Sequence, residues 1–265
     1  MIKIEASMNN KAKIIDVNLS NISTYPARCL MSPKDRGYEY KKDWLKKRFL
    51  EGLKIKQLYM DGSDTCIGFI EYVPGEYAWR AVDAGGYIFI HCLWVYRNNI
   101  RNKGFGSMLI KESINEAKKQ KCYGAAAVVS TGAFMSEKEI YLKNGFHSVE
   151  TSGRFELLVY SLKNGKLPKF KNWEAQLKKF KGLNAVYSSQ CPWVAKSIDV
   201  LSSAASKNGI EMKIKQLKTP KQAQNAPSVY SVFSLINDGK IIEDHYISET
   251  RFKNILKKEI LPGKK

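Results

Sequence analysis

Residues Leu93 to Ile110, LWVYRNNIRNKGFGSMLI, decide the fold. A bulky apolar strand, Tyr87 to Val95 (YIFIHCLWV), runs into a polar and basic loop, and a helix starts around Gly104-Phe105-Gly106. An apolar run of this kind reads as a strand buried on both faces. Two glycines at the turn let the backbone come close to a ligand. The first N–H groups of the helix have no intrahelical acceptor and point outward, and such a terminus binds phosphate. Arg101 and Lys103 add positive charge beside it. A dinucleotide loop of the Rossmann type wants a third glycine at position 109, which is Leu109, and the Gly-Lys-Ser/Thr of a P-loop is absent. The stretch therefore predicts a pyrophosphate site that follows neither common nucleotide pattern.

The flanking sequence alternates between helix and strand patterns. Leu19 to Gly52 reads as mainly helical, with Trp44, Leu45, Phe49 and Leu50 apolar. Lys54–Met60 and Thr65–Val73 read as strands around an Asp61-Gly62 turn, with Pro74-Gly75 closing the second. After the helix from Gly104 to Gln120 come a small apolar strand, Ala125–Val129, and a short helix, Ser136–Lys143. Asn144-Gly145 stops that helix. Phe146–Val149 and Phe155–Leu162 read as a closing strand pair.

Arg101-Asn102-Lys103-Gly104-Phe105-Gly106 resembles the R/Q-x-x-G-x-G/A pyrophosphate loop of the GNAT superfamily of N-acetyltransferases. Tyr141-Leu142-Lys143-Asn144-Gly145-Phe146, about forty residues on, resembles the Y-x-x-x-G-F segment that ends the last helix of that fold. The resemblance covers residues 1–163 and implies an α/β (α+β) GNAT acetyltransferase fold with a splayed mixed sheet. It implies acetyl-CoA as co-substrate, held between Tyr87–Val95 and Ala125–Val129. The pyrophosphate would lie on the amides of Lys103, Gly104, Phe105, Gly106 and Ser107, with Arg101 and Asn102 beside them. Backbone groups of Leu93, Trp94 and Val95 would hold the pantetheine arm. Tyr141 falls on the tyrosine that family members use as general acid toward the leaving thiolate; a phenol pKa near 10 suits a thiol. The same side chain also reads as a packing aromatic before a turn.

The attacking amine must lose a proton, so a base is sought on the central strands. Glu71 and His91 are the candidates. A carboxylate among the aromatic and aliphatic neighbours of FIEYVPGEYAWR is costly unless it has a partner or a role. His91 is equally readable as a satisfied core histidine. Strict alternation sends Cys92 and Trp94 to the opposite face from His91, which reads both as core.

The stretch Asn164–Gly182 (NGKLPKFKNWEAQLKKFKG) holds six lysines and one glutamate and opens on turn signals. It reads as a basic linker helix, residues 164–182, with Trp173, Leu177 and Phe180 on one face and Asn172 as a cap. Residues 183–265 then read as strand, helix, strand, short helix, strand, strand, helix. That order resembles the thioredoxin-like α/β fold. Cys191, in Ser189-Gln190-Cys191-Pro192-Trp193, falls where that fold places its active-site thiol, and Pro227 where it keeps a cis-proline. Position 194 is Val, so no C-x-x-C disulfide can form there. A lone cysteine at a helix start can still be an activated thiol. Together the halves resemble bacterial acetyltransferases with a YoaP-like C-terminal domain.

Composition narrows the remaining classes. The chain has 265 residues, 44 Lys+Arg against 25 Asp+Glu, and a formal charge of +19. Only eight of the basic residues are arginine, which argues against base-specific nucleic-acid reading. No apolar run reaches the roughly 18 residues of a membrane span, and no signal peptide is visible at MIKIEASMNN. A cytoplasmic protein is expected. Five scattered cysteines and three histidines show no metal-ligand spacing. The expected function is acetyl transfer from acetyl-CoA to a primary amine, a small molecule in preference to a protein, with no specific nucleic acid or membrane as partner. The alternatives are a non-catalytic acyl-CoA sensor and a thiol protein built on Cys191.

Overall fold

The computed structural model describes residues 12–27, 29, 31–32, 34–96, 103–132 and 135–261. The first half is a seven-stranded sheet. In chain order its elements are β1 (Ala12–Val17), α1 (Arg36–Leu50), β2 (Lys54–Met60), β3 (Cys66–Pro74), a short β4 (Val82–Asp83), β5 (Tyr87–Val95), α2 (Phe105–Lys119), β6 (Gly124–Ser130), α3 (Lys138–Leu142), β7 (His147–Ser152) and β8 (Phe155–Ser161). The sheet order is β1-β2-β3-β5-β6-β8-β7. Every pairing is antiparallel except β5 with β6, whose connection through α2 is the crossover that parallel strands need. α2 covers one face with Phe105, Leu109, Ile110, Ile114 and Ala117, all buried. The β5–β6 ladder pairs Tyr87–Ile90 with Gly124–Ala127 and ends there, although the strands run on to Val95 and Ser130. The two strands splay at that point.

The helical reading of Leu19–Gly52 narrows to α1. Asp35 caps it by accepting from Gly37 N at 2.9 Å, and the residues before it form turns. β1 is an addition at the sheet edge. Three of its six residues are half-buried, two are exposed and only Val17 is buried, a pattern too weak to announce a strand.

The segment 164–182 is pinned to the first half. Its β9 (Lys169–Phe170) pairs with β4, and Phe170 N donates to Glu150 Oε2 at 2.7 Å. α4 (Trp173–Leu177) follows, with Asn172 Oδ1 accepting from Ala175 N at 3.0 Å. Trp173 Nε1 donates to Ser152 Oγ on β7.

The second half contains β10 (Leu183–Tyr187), α5 (Pro192–Lys207), β11 (Met212–Gln216), α6 (Pro220–Gln224), β12 (Phe233–Asn237), β13 (Lys240–Glu243) and α7 (Glu249–Ile255), which continues as a π-helical turn to Ile260. Its sheet order is β11-β10-β12-β13; β10 and β11 are parallel and the other pairs antiparallel. No peptide bond among the described residues is cis. This corrects the expectation of a cis-proline at Pro227, which lies in the loop before β12, a strand that starts only at Phe233.

The two halves share one core. Trp44, Trp79 and Phe89 of the first belong to the same buried cluster as Val194, Ile198 and Leu201 of the second. α1 meets α5 so closely that a Cβ on Gly37 would lie 2.4 Å from the Pro192 carbonyl oxygen. Lys196 pairs with Asp35 at 2.6 Å across the same contact. No helix among the described residues is long and apolar enough to cross a membrane.

Candidate active site

A β-bulge sets the layout of the site. β3 and β5 pair Tyr72 with Ile90 and Glu71 with Cys92, so His91 is an extra residue on β5. A bulge places two residues opposite one and interrupts the alternation of side chains. Phe89 and His91 point to the face that carries α1 and the second half, and after the bulge Cys92 and Trp94 point there too. All of His91, Cys92 and Trp94 line one cavity. This corrects the reading of Cys92 and Trp94 as core on the far face. Leu93 turns the other way, into the α2 core, at 6% exposure.

The cavity has a volume of about 410 Å³, within the range of small-molecule sites. It opens on the face of the sheet where β5 and β6 part. Glu71, at its heart, is 1% exposed. Lys41 Nζ of α1 donates to Glu71 Oε2 at 2.5 Å. Gln190 Nε2, from the loop before α5, donates to Glu71 Oε1 at 2.8 Å. Arg80 Nη1 donates to Gln190 Oε1 at 2.8 Å, and Arg80 Nη2 donates to the His91 carbonyl at 2.8 Å. One buried polar chain therefore runs Lys41–Glu71–Gln190–Arg80 and crosses between the halves.

These contacts set the protonation of Glu71 and His91, the two residues read as candidate bases. Burial alone would raise the Glu71 pKa, but Lys41 and His91 outweigh it and hold the carboxyl down at about 2. Both of its oxygens have donors. His91 Nε2 accepts from the Trp79 backbone N–H at 2.8 Å. The ring proton therefore sits on Nδ1, 3.4 Å from Glu71 Oε1. Burial pushes His91 down to about 4, against the pull of Glu71, so the ring is neutral and has no free lone pair.

Tyr141, on α3, lines the same cavity at 2% exposure. Burial pushes its phenol above the ordinary 10, while a hydrogen bond with Ser136 pulls the other way. Ser136 Oγ in turn donates to the Leu93 carbonyl at 3.2 Å. The tyrosine keeps its proton at neutral pH, the state an acid must be in. It also packs edge-on to Phe146 at 5.3 Å, so its packing and acidic readings are compatible.

Arg101 and Asn102 of the pyrophosphate loop lie outside the described residues. Lys103 is exposed. Gly104 caps α2 with φ +82°, a left-handed conformation that favours glycine, and a Cβ there would meet nothing within 4 Å. Gly106 instead makes room for a neighbouring helix, since a Cβ there would come 2.3 Å from Ile140 Cδ1 of α3. Phe105 is a core residue, and Ser107 Oγ accepts from Asn144 Nδ2 at 2.9 Å. The first turn of α2 carries no acidic side chain, which suits an anion at its free amides.

The second half builds one wall of the cavity through Gln190, Cys191, Trp193, Tyr230 and Tyr246. Pro227 is not part of it. Burial pushes the Cys191 thiol up, against the pull of the Val194 and Trp193 amides. An activated thiol needs the reverse shift. Lys41 and Gln190 were not singled out in the sequence, yet they anchor Glu71; Arg80, readable in sequence as a partner of Glu76, instead holds Gln190 and the His91 carbonyl, while Glu76 accepts from Gly86 N. Lys41 carried a readable signal: a cation placed in the buried stripe of α1 with Tyr38, Trp44 and Leu45. Among the described residues no three His, Cys, Asp or Glu side chains gather to hold a metal ion.

Residues 21–146 match the Acetyltransferase (GNAT) family. The splaying strands β5 and β6 and the helix α2 all lie within that match, and acetyl-CoA is the family's co-substrate. More specifically, residues 212–254 match YoaP-like, so the chain joins a GNAT acetyltransferase domain to a YoaP-like domain. The "Uncharacterized N-acetyltransferase YoaP" of Bacillus subtilis (strain 168) is 28% identical over 252 residues, covering 91% of this chain and 97% of that protein. Solved structures similar to the first half include the PaiA N-acetyltransferase of Thermoplasma acidophilum in complex with coenzyme A. It is 16% identical with TM-score 0.40, covering 57% of this chain and 99% of that one. Another is a GNAT-family acetyltransferase of Staphylococcus aureus Mu50, 16% identical with TM-score 0.43, covering 58% of this chain and all of that one.

Proposed function

We propose that the protein moves the acetyl group of acetyl-CoA directly to the primary amine of a small molecule. Residues 1–163 form the catalytic part, 164–182 the connection and 183–265 the YoaP-like part. The observation that carries this reading is Tyr141, buried and protonated on a 410 Å³ cavity that meets the point where β5 and β6 separate. Acetyl-CoA supplies an acyl group on a thiol leaving group. The amides of Phe105, Gly106 and Ser107 at the start of α2 would receive its pyrophosphate, with Lys103 nearby and Arg101 two positions before it in the sequence. The strand edges beyond Ile90 and Ala127, free of ladder partners, would receive the pantetheine arm. Tyr141 Oη gives its proton to the departing sulfur.

The amine enters unprotonated, and the proton its nitrogen sheds after attack goes to the Tyr141 phenolate left once the departing sulfur has taken the phenolic proton, so that amine and acetyl-CoA become amide and free CoA thiol with Tyr141 restored. Glu71 and His91 are both engaged, so among the described residues the cavity holds no side chain poised to take a proton near neutral pH. An ammonium ion is disfavoured beside Lys41 and Arg80 in an apolar space, and that lowers the amine's own pKa. Binding then prepays the entropy of approach.

CoA release from acetyl-CoA across a panel of amines tests the reading. Tyr141→Phe slows turnover about 10²- to 10⁴-fold, the range of a general acid, with an unchanged KM for acetyl-CoA. Unchanged turnover would remove Tyr141 from the chemistry.

A further inference from the structure

The walls of the cavity carry information about the acceptor that neither the phosphate loop nor Tyr141 holds. Besides Tyr141, six aromatic side chains line it: Phe69, Trp94 and Tyr96 from the sheet of the first half, and Trp193, Tyr230 and Tyr246 from the second. Among the described residues Glu71 is the only carboxylate lining it, and its charge is already matched by Lys41. Arg80 remains as a second cation, stacked 4.8 Å from the centre of the Tyr230 ring. His91 is neutral. The fixed charge of the cavity is therefore positive.

This balance selects against some amines. A polyamine or an aminosugar carries several ammonium groups, and each one buried needs a carboxylate or an acceptor-rich surface. The described walls of this cavity offer no such partner. An aromatic or apolar body is instead matched by aromatic faces, which reward offset and edge-on stacking.

The depth of the residues orders the site. Tyr141 is 2% exposed, whereas Trp193, on the same lining, is 39% exposed. The Trp193 ring is held in place: its Nε1 donates to the Cys29 carbonyl at 3.1 Å, and it meets Tyr246 edge-on at 6.4 Å. A ring fixed before binding loses little freedom when a ligand arrives.

We infer that the YoaP-like part grips the acceptor, through Trp193 and Tyr246, and that the acceptor is a small monoamine with an aromatic or apolar body. This rests on the acetyl-transfer reading above for its reacting end. It assigns the C-terminal wall the role of choosing the substrate.

The test uses the full chain. Steady-state CoA release is measured with phenethylamine, tryptamine, n-butylamine, spermidine and kanamycin, and binding of the same amines to the CoA-loaded protein is measured by calorimetry. Arylalkylamines are expected to exceed spermidine and kanamycin at least tenfold in kcat/KM and in affinity. Trp193→Ala and Tyr246→Ala are expected to raise the phenethylamine KM tenfold or more and to leave the acetyl-CoA KM within twofold. Trp193→Phe, which keeps a ring, is expected to recover most of the loss. The inference is overturned if a polycation matches phenethylamine, if no arylalkylamine binds, or if Trp193→Ala leaves the phenethylamine KM and affinity unchanged. The two readings fail separately. Preferential binding of arylalkylamines without any acetylated product by mass spectrometry sinks acetyl transfer and keeps the recognition. Acetylation of polycations alone does the opposite.

Discussion

Gln190→Leu removes a buried side chain that joins the two halves through charged partners. Gln190 is 5% exposed, Glu71 1% and Arg80 3%, so solvent cannot readily replace what is lost. Leucine keeps the approximate volume. Glu71 Oε1 is then left with His91 at 3.4 Å, and Arg80 Nη1 with the Trp79 carbonyl. A hydrogen bond to a charged group is worth about 1.5–3 kcal/mol. Two of them make about 3–6 kcal/mol, offset by about 1 kcal/mol from the greater apolar burial of leucine. A net loss of roughly 2–5 kcal/mol follows. For a chain of this size each kcal/mol moves Tm by about 2–4 °C, so the melting point falls by roughly 4–20 °C. Calorimetry and urea unfolding followed by tryptophan fluorescence read the change. The same variant should raise the acceptor KM and spare the acetyl-CoA KM, because Gln190 leads directly into the Cys191–Trp193 wall. A stability loss below about 1 kcal/mol would refute the idea that this buried chain ties the halves together.

Other outcomes follow from the same network. Lys41→Met leaves the Glu71 carboxylate buried without its cation and should cost about 3–5 kcal/mol; adding Glu71→Gln should recover part of it, as denaturant unfolding of the single and double variants will tell. His91 is lowered from 6.5 to about 4 by burial. Between those pH values the unfolded chain takes up a proton that the folded one refuses, so stability declines as pH falls from about 6.5 to 4, by about 3 kcal/mol. Glu71, lowered to about 2, adds a further decline from its unfolded value near 4.5 downward. His91→Gln, which keeps an acceptor for the Trp79 N–H, should flatten the first limb alone; an identical slope in the variant would remove His91 from the account. Tyr141→Phe and the Trp193 and Tyr246 variants complete the set.

Much of the scaffold was legible because of local chemistry. β2 and β5 have the bounds their apolar patterns suggest, and the second half opens with a strand and a helix as expected, β10 and α5. Gly104 and the Asn144-Gly145 stop marked the start of α2 and the end of α3, since positive φ and helix termination are written in single residues. The site was less legible. An alternation rule cannot foresee the extra residue at His91, because a bulge depends on the pairing of β5 with β3 and not on β5 itself. Glu71 was marked by its apolar neighbours, but its partners Lys41 and Gln190 are 30 and 119 positions away. The cavity wall comes from the docking of α5 on α1, and Gly37, the residue that permits that approach, looks in sequence like any turn glycine.

That wall also imposes an order on events during synthesis. α2 and Tyr141 leave the ribosome well ahead of Trp193 and Tyr246. The first half can therefore begin to order its sheet and α2 while the far wall of the cavity is still untranslated. Until Tyr246 has emerged and α5 has settled against α1, the cavity lies open along one flank.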